Sequence, residues 1–189
     1  MLLSAGALVV SASGAFGATR AFAQGAGAAN PAALPAHLFP SPEQLDSWIA
    51  ILPNGTAEAF FGKMDMGQGL EVAIAQVVAD ELDLAIEHVS VRMGDTATTC
   101  NQGGASGSSG VSLGAKPLRD AAAEARRILV ERAATVLNIP ADQLAVTNGV
   151  IAPTGMAAGT APTTSVTYAD LMGGKHFDSQ VEWNGGDGV

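Results

Sequence analysis

The chain has 189 residues, 48% of them hydrophobic and 14% charged, which fits a packed globular interior and argues against disorder. Nine basic residues stand against 18 acidic ones, and the net charge of −9 offers no attraction to nucleic-acid phosphates or anionic membranes. The single cysteine, Cys100, excludes an internal disulfide and any cysteine-rich zinc or iron–sulfur site built from this chain alone. It is interpreted as a small buried residue.

The first part of the chain predicts an export signal followed by a linker. Residues 2–19 carry no charge, and Ala-Phe-Ala at 21–23 is a small-x-small cleavage pattern, so residues 1–23 are predicted to direct the protein to the periplasm. The missing basic residues before the apolar run suggest a start further upstream. A membrane anchor is the alternative, but the run is short and mildly hydrophobic, and no stable membrane span is predicted. Residues 24–45 are rich in Ala, Gly and Pro and predict an extended linker, after which residues 46–189 form the folded domain.

The folded domain is predicted to begin with a hairpin. Two apolar runs, residues 48–52 and 57–61, flank the turn sequence Asn54-Gly55. Residues 70–82 are apolar on most of the circumference of a helix, which predicts a buried helix. Residues 88–93 alternate apolar and polar side chains and predict a half-buried strand.

The second half of the domain predicts one long helix and further strands. Residues 117–138 repeat apolar side chains at three- and four-residue steps, which is typical of an amphipathic helix, and Pro140 prevents its continuation. Asn148-Gly149 predicts a second hairpin, and residues 179–183 predict a last strand. This order of elements indicates an α+β fold in which two long helices pack on a mixed sheet.

Two glycine-rich segments are the candidate binding elements. The first, residues 62–69, is called the Gln68 turn, because Gly67 and Gly69 enclose the Gln68 amide just before a predicted helix. Glycine permits positive φ and close approach of the backbone to a ligand, and the first N–H groups of a helix attract an anion. The second, residues 103–110, is called the serine loop, because its hydroxyl and N–H groups suit phosphate oxygens.

Spacing alone leaves open that both segments are ordinary flexible turns. The familiar nucleotide and hydrolase motifs do not fit: Val72 stands where the dinucleotide fingerprint has Gly or Ala, the sequence at Gly62-Lys63 lacks the other P-loop residues, and no G-x-S-x-G elbow occurs. No proton-transfer pair and no protein metal-ligand motif is evident.

Five motifs follow one another in a fixed order along the folded domain. They are Gly-Lys-Met-Asp-Met-Gly-Gln-Gly at 62–69, Ala-Asp-Glu-Leu-Asp at 79–83, Met-Gly-Asp-Thr-Ala at 93–97, Cys-Asn-Gln-Gly-Gly-Ala-Ser-Gly-Ser-Ser-Gly at 100–110 and Leu-Arg-Asp-Ala-Ala-Ala-Glu-Ala-Arg at 118–126. This series resembles the molybdopterin-binding subunit of the xanthine oxidase family, and most of all the isoquinoline 1-oxidoreductase and nicotinate dehydrogenase large subunits. The resemblance covers about residues 46–183.

This resemblance implies a molybdenum cofactor and a set of contacts to it. The Gln68 turn would meet the pterin, and the serine loop would bind the phosphate end of the cofactor. Members of the family hydroxylate a carbon of an N-heterocycle or aldehyde with oxygen from water. Electrons leave through a partner that carries iron–sulfur clusters or haem, such as a small iron–sulfur subunit or cytochrome c. The residues so implied are Gly67, Gln68, Gly69, Gly104, Ser106, Ser108 and Ser109.

The resemblance also implies what the sequence lacks. Family chains are several times longer and have a catalytic Glu near their C-terminus, with no counterpart here, so the sequence is expected to be an N-terminal part of a molybdopterin-binding domain without turnover of its own. A molybdenum enzyme acquires its cofactor before export, which implies a twin-arginine signal. A non-catalytic periplasmic binding or scaffold domain is the alternative function, and a nucleotide-binding protein is a third.

Overall fold

Two three-stranded sheets share one hydrophobic core in the part of the chain that the structure, a computed structural model, describes: residues 40–154 and 164–182. The predicted signal at residues 1–23 lies outside this part. Within it are strands β1 Ile49–Ile51, β2 Ala57–Phe61, β3 Val89–Met93, β4 Leu144–Thr147, β5 Val150–Pro153 and β6 Val166–Thr167, and helices α1 Leu70–Glu81, α2 Ala115–Leu137 and α3 Tyr168–Met172.

The first sheet is mixed and has β2 at its centre. β1 pairs with β2 antiparallel, with Ile49 opposite Ala59, and β2 pairs with β3 parallel, so that α1 forms the crossover between them. The predicted first hairpin is confirmed. Its connection is longer than a two-residue turn: the N–H of Leu52 bonds to the carbonyl of Thr56, and the Asn54 side chain accepts from the Thr56 N–H at 3.1 Å.

Helix α1 buries one face only. Leu70, Ile74 and Val78 are buried against the sheet and α2, whereas Val72 is 57% exposed. The prediction of a helix at this place is confirmed, but the expectation that it is buried all round is wrong. A helix on the surface of a two-layer fold has neighbours on one side, whatever its composition.

Helix α2 runs beneath both sheets and begins two residues earlier than predicted. A π-helical turn, Gly110–Gly114, leads directly into it, and Asn138 ends it in the left-handed conformation with φ 56°. Ion pairs tie α2 to the end of α1: Arg119 with Glu81, and Arg126 with Asp83 at 2.5 Å. Glu81 at the end of α1 and Asp83 after it therefore join the two helices.

The second sheet is antiparallel, with β5 between β4 and β6. Its predicted hairpin is confirmed: Asn148 and Gly149 both have positive φ, 48° and 74°, as a type I′ turn requires. β6 and α3 were not predicted. The Tyr168 hydroxyl at the start of α3 donates to the Leu82 carbonyl at 2.8 Å and so joins this layer to the end of α1.

The α+β class with a mixed sheet and two long helices is confirmed, and the antiparallel sheet is an addition to it. The strand predicted at 179–183 is a single bridge between Gln44 and Gln180 within the described residues. Of the predicted linker, the residues up to 39 lie outside the described part, while the Pro42 carbonyl accepts from the Trp48 indole N–H at 2.9 Å. No helix in residues 40–154 or 164–182 has both the length and the apolarity to cross a bilayer.

Candidate cofactor-binding site

The Gln68 turn holds its own amide side chain in place. Gly67 and Gly69 have φ of 96° and 77°, a backbone shape that glycine adopts without strain. The Gln68 Oε1 accepts from the Met66 N–H at 2.7 Å, and Nε2 donates to the Met64 carbonyl at 3.2 Å. A primary amide has two N–H donors and two lone pairs on oxygen, so Gln68 keeps one donor and one acceptor for a ligand.

The Asp65 carboxylate bonds to the backbone of the Gln68 turn and to one N–H group at the start of α1. Its oxygens accept from the Gly67 N–H at 2.7 Å and from the Glu71 N–H at 2.9 Å. The pKa of Asp65 is lowered, chiefly by the bond from the Glu71 N–H, with further backbone bonds from Gly67 and neighbours. Of the first helical N–H groups, which were expected to attract a ligand anion, the one of Glu71 thus bonds to the protein's own carboxylate.

The serine loop has several residues in left-handed backbone conformation. Gly103, Gly107 and Ser108 have φ of 72°, 58° and 54°. The Ser109 hydroxyl donates to the Ser106 carbonyl at 2.7 Å, which closes the loop on itself. The Ser106 and Ser108 side chains are exposed. Their hydroxyl groups are therefore accessible to a ligand.

Both segments line one open groove of about 680 Å³. Gln68 and Gly69 form one side, and Ser106, Ser108 and Ser109 form the other. The remaining two predicted residues, Gly67 and Gly104, belong to the same segments but lie outside the lining. The structure thus brings together five of the seven residues predicted for cofactor binding, from segments about 40 residues apart in sequence.

The groove fits a pterin with a phosphate tail. Its donors are a neutral amide, hydroxyl groups and backbone N–H groups, which suit a polar heterocycle and phosphate oxygens. Met66 and Val111 add apolar surface to the lining. A Cβ on Gly104 would meet no atom within 4 Å, and its φ lies outside the left-handed region, so no described contact requires glycine there. A bare backbone at 104 leaves room for close approach of a ligand.

Lys63 and Gln102 join the two segments and were not identified from the sequence. The Lys63 Nζ donates to the carbonyls of Gln102 and Gly104, both at 2.9 Å. The Gln102 side chain accepts from the Gly62 N–H at 2.7 Å and donates to the Gly114 carbonyl at 2.8 Å. One feature of the sequence could have indicated that Lys63 is buried. Ala57, Ala59 and Phe61 are the buried alternate residues of β2, and the same alternation continues to Lys63, which is 7% exposed.

Cys100 precedes Gln102 by two positions and is buried. Its side chain is 2% exposed, its thiol lies 3.8 Å from the Ser47 carbonyl, and burial raises the pKa of the thiol. The interpretation of Cys100 as a small buried residue is confirmed.

Comparison with known proteins agrees with the motif series. The model of the molybdopterin cofactor-binding domain family matches residues 16–186. A nicotinate dehydrogenase subunit of Pseudomonas putida is 38% identical over 139 residues, which are 73% of this chain and 11% of that protein. A probable xanthine dehydrogenase subunit of Bacillus subtilis is 37% identical over 65 residues, which are 34% of this chain and 9% of that protein.

Solved structures show the same relationship. Quinoline 2-oxidoreductase from Pseudomonas putida 86 superposes with a TM-score of 0.56 at 26% identity, over 66% of this chain and 15% of that one. The CO dehydrogenase of Oligotropha carboxidovorans gives 0.52 at 27% identity, over 65% and 15%. In length, the chain spans 11% of the nicotinate dehydrogenase subunit and 9% of the xanthine dehydrogenase subunit named above. The predicted family and its molybdopterin-type molybdenum cofactor are confirmed: the chain belongs to the molybdopterin cofactor-binding domain family, within the xanthine oxidase family.

Proposed function

We propose that this chain forms one wall of the cofactor site in the large subunit of a molybdenum hydroxylase. The Gln68 turn would bind the pterin through the Gln68 amide, and the serine loop would bind the phosphate end. The observation that carries the proposal is the shared groove, in which Gln68 and Gly69 face Ser106, Ser108 and Ser109. Met66 and Val111 would shield the ring from water.

The activity proposed for the complete enzyme is oxidation of an N-heterocycle or aldehyde with water as the oxygen source. Two relatives, quinoline 2-oxidoreductase and the nicotinate dehydrogenase of Pseudomonas putida, are named for N-heterocycles, which supports this substrate class. The bound molybdenum supplies the redox centre, and this chain's residues bind and orient the cofactor. Electrons would pass to a small iron–sulfur subunit or to cytochrome c. Because the relatives are named as subunits, a partner chain is the expected arrangement.

The proposal is tested by the molybdenum content of the complete large subunit in which this chain forms that wall. The large subunit is produced with its small iron–sulfur subunit in a host that makes the cofactor, and molybdenum and pterin per large subunit are measured. Gln68→Ala is expected to lower retained molybdenum roughly tenfold, which corresponds to about 1.4 kcal/mol, the scale of one good hydrogen bond.

Gln76→Ala is the matched control, since Gln76 is exposed on α1 and does not line the groove. It is expected to retain wild-type molybdenum. A wild-type large subunit that holds neither molybdenum nor pterin would contradict the proposal and favour a non-catalytic binding or scaffold domain. Full retention by Gln68→Ala would remove Gln68 from the site.

We also propose export to the periplasm by the twin-arginine route, on the basis of the apolar run and cleavage pattern in residues 1–23. Fractionation of the native cells checks this. The protein is expected in the periplasm, and in the cytoplasm when the twin-arginine translocase is deleted. Cytoplasmic protein in otherwise normal cells would contradict the proposal.

A further inference from the structure

We propose that Lys63 is a positioning residue whose buried ammonium group sets the distance between the Gln68 turn and the serine loop. The inference rests on the proposed function, because it concerns the same groove. It assigns a role to a side chain that does not line the groove itself.

The position of Lys63 is prepared by its surroundings. It continues the buried face of β2, and its side chain is 7% exposed. The aliphatic stem passes Phe61 and Gly114: a Cβ on Gly114 would lie 3.0 Å from both Lys63 Cε and Phe61 Cζ. A larger residue at 114 would therefore compete with the lysine stem for space. The absence of a side chain at Gly114 thus leaves space for the lysine stem.

Burial of this ammonium group is not explained by an ion pair. None of the ion pairs found in residues 40–154 and 164–182 involves Lys63. A buried charge is costly unless it is well bonded, and a methionine would fill similar space with apolar atoms alone. The Lys63 Nζ instead bonds to two carbonyls, those of Gln102 and Gly104. Its charge is used to hold the start of the serine loop.

The bond to Gly104 acts on the groove in two ways. It fixes the backbone at Gly104, whose Cβ position is open for at least 4 Å. It also polarises the peptide group between Gly104 and Ala105, because a cation on the carbonyl makes the N–H of the same peptide a stronger donor. Ala105 lines the groove. Lys63 thereby favours phosphate binding without touching the ligand.

The test compares Lys63→Met with Lys175→Met, the same chemical change at an exposed residue. Cys100 is the reporter: it is the one cysteine in the chain, it is 2% exposed, and it precedes Gln102 by two positions. The rate of its reaction with a thiol reagent measures opening of this segment. Lys63→Met is expected to react about tenfold faster than wild type, even at denaturant concentrations too low to unfold the protein. Lys175→Met is expected to react at the wild-type rate.

Molybdenum retention is measured on the same proteins. Lys63→Met is expected to lose cofactor about tenfold more than Lys175→Met. Wild-type reactivity of Cys100 in Lys63→Met would overturn the proposal. So would faster reaction in proportion to a loss of global stability, since that is the behaviour of an ordinary core residue. If Lys63→Met does not fold, Lys63→Gln replaces it, and an intermediate rate is expected because its amide reaches one carbonyl at most.

The two proposals fail separately. Absence of molybdenum from the wild type contradicts the proposed function, whereas Cys100 reactivity still decides whether Lys63 holds the loop. Retention of cofactor by both the wild type and Lys63→Met overturns the positioning role alone.

Discussion

Gly62 and Gly104 are the same residue type under different constraints. A Cβ on Gly62 would lie 1.9 Å from the Cys100 carbonyl oxygen, so two backbone segments pack too closely for any side chain. A Cβ on Gly104 would meet no atom within 4 Å. Glycine at 62 is required by the fold. No described contact requires glycine at 104, and we propose that the bare backbone there allows the approach of a ligand.

We therefore expect the two alanine substitutions to affect different properties: Gly62→Ala the stability of the fold, and Gly104→Ala the retention of molybdenum. Gly62→Ala is expected to lower the free energy of unfolding by about 2 kcal/mol or more, because backbone cannot yield as a flexible side chain does. Gly104→Ala is expected to change it by less than about 0.5 kcal/mol, yet to reduce molybdenum retention. Chemical denaturation and metal analysis measure both. A Gly104→Ala protein with full molybdenum would remove the argument for close approach at this residue.

At the scale of elements, Asp65 bonds to one of the N–H groups in the first turn of α1. Gly69 precedes the helix in left-handed conformation and has no side chain to act as a cap. Asp65 compensates by accepting from the Gly67 and Glu71 N–H groups, and these bonds lower its pKa. The same carboxylate shapes the turn that holds Gln68. The Asp65 carboxylate thus both bonds to the start of α1 and holds the turn that carries the Gln68 amide.

This arrangement predicts a dependence on pH. A depressed pKa in the folded state means that the stabilisation by Asp65 is complete above its ordinary value of 3.8 and is lost as pH falls through the lowered value. Asp65→Asn is expected to be less stable than wild type at neutral pH and to show a smaller loss of stability on acidification. Asp95 and Asp170 have pKa values lowered in the same direction, so part of the dependence remains.

Asp142→Asn is the control, since Asp142 lies in the short turn before β4, outside both glycine-rich segments. It is expected to follow the wild-type curve in denaturation measured from neutral to acid pH. If Asp65→Asn also follows that curve, Asp65 does not stabilise α1.

At the scale of the whole molecule, the two sheets are joined through α1, α2 and α3. The buried hydrophobic side chains form one cluster, whose members in chain order begin with Leu45 and end with Phe177. Tyr168 is fully buried, and its hydroxyl reaches the Leu82 carbonyl at the end of α1. Burial is also the main cause that raises the pKa of Tyr168, so the phenol stays protonated as a donor. The antiparallel sheet therefore supports the end of the helix that begins at the groove.

Loss of the hydrogen bond between Tyr168 and Leu82 is expected to lower stability, by an amount that depends on how much of the side chain is removed. Tyr168→Phe should lower the free energy of unfolding by about 1 kcal/mol through the lost hydrogen bond, and Tyr168→Ala by roughly 3–5 kcal/mol through the cavity as well. Thr135→Ala removes an exposed hydroxyl that bonds within α2 and should change stability by less than about 0.5 kcal/mol. Equal stabilities of Tyr168→Phe and wild type would show that the bond across the two layers has no net effect.

Local signals in the sequence account for much of this protein. The Asn-Gly turns, the long helix α2 and the alternation in β3 follow from short-range chemistry, and their order predicts the α+β class. The family was predicted from the resemblance of the motif series. The groove residues Gln68, Ser106, Ser108 and Ser109 were also named from their motifs. The predictions of turns, helices and strands succeed because turn and helix preferences act within a few residues. The role of the groove residues stays a prediction.

Contacts between distant residues decided the rest. Strand β6 has two residues, Val166–Thr167, too few for any periodicity, and it forms because β5 offers an edge. Lys63 reaches Gly104 across 41 positions, and its burial depends on space left by Gly114. Polar burial is settled only when the packed partners are in place, because its cost depends on bonds that sequence spacing does not reveal.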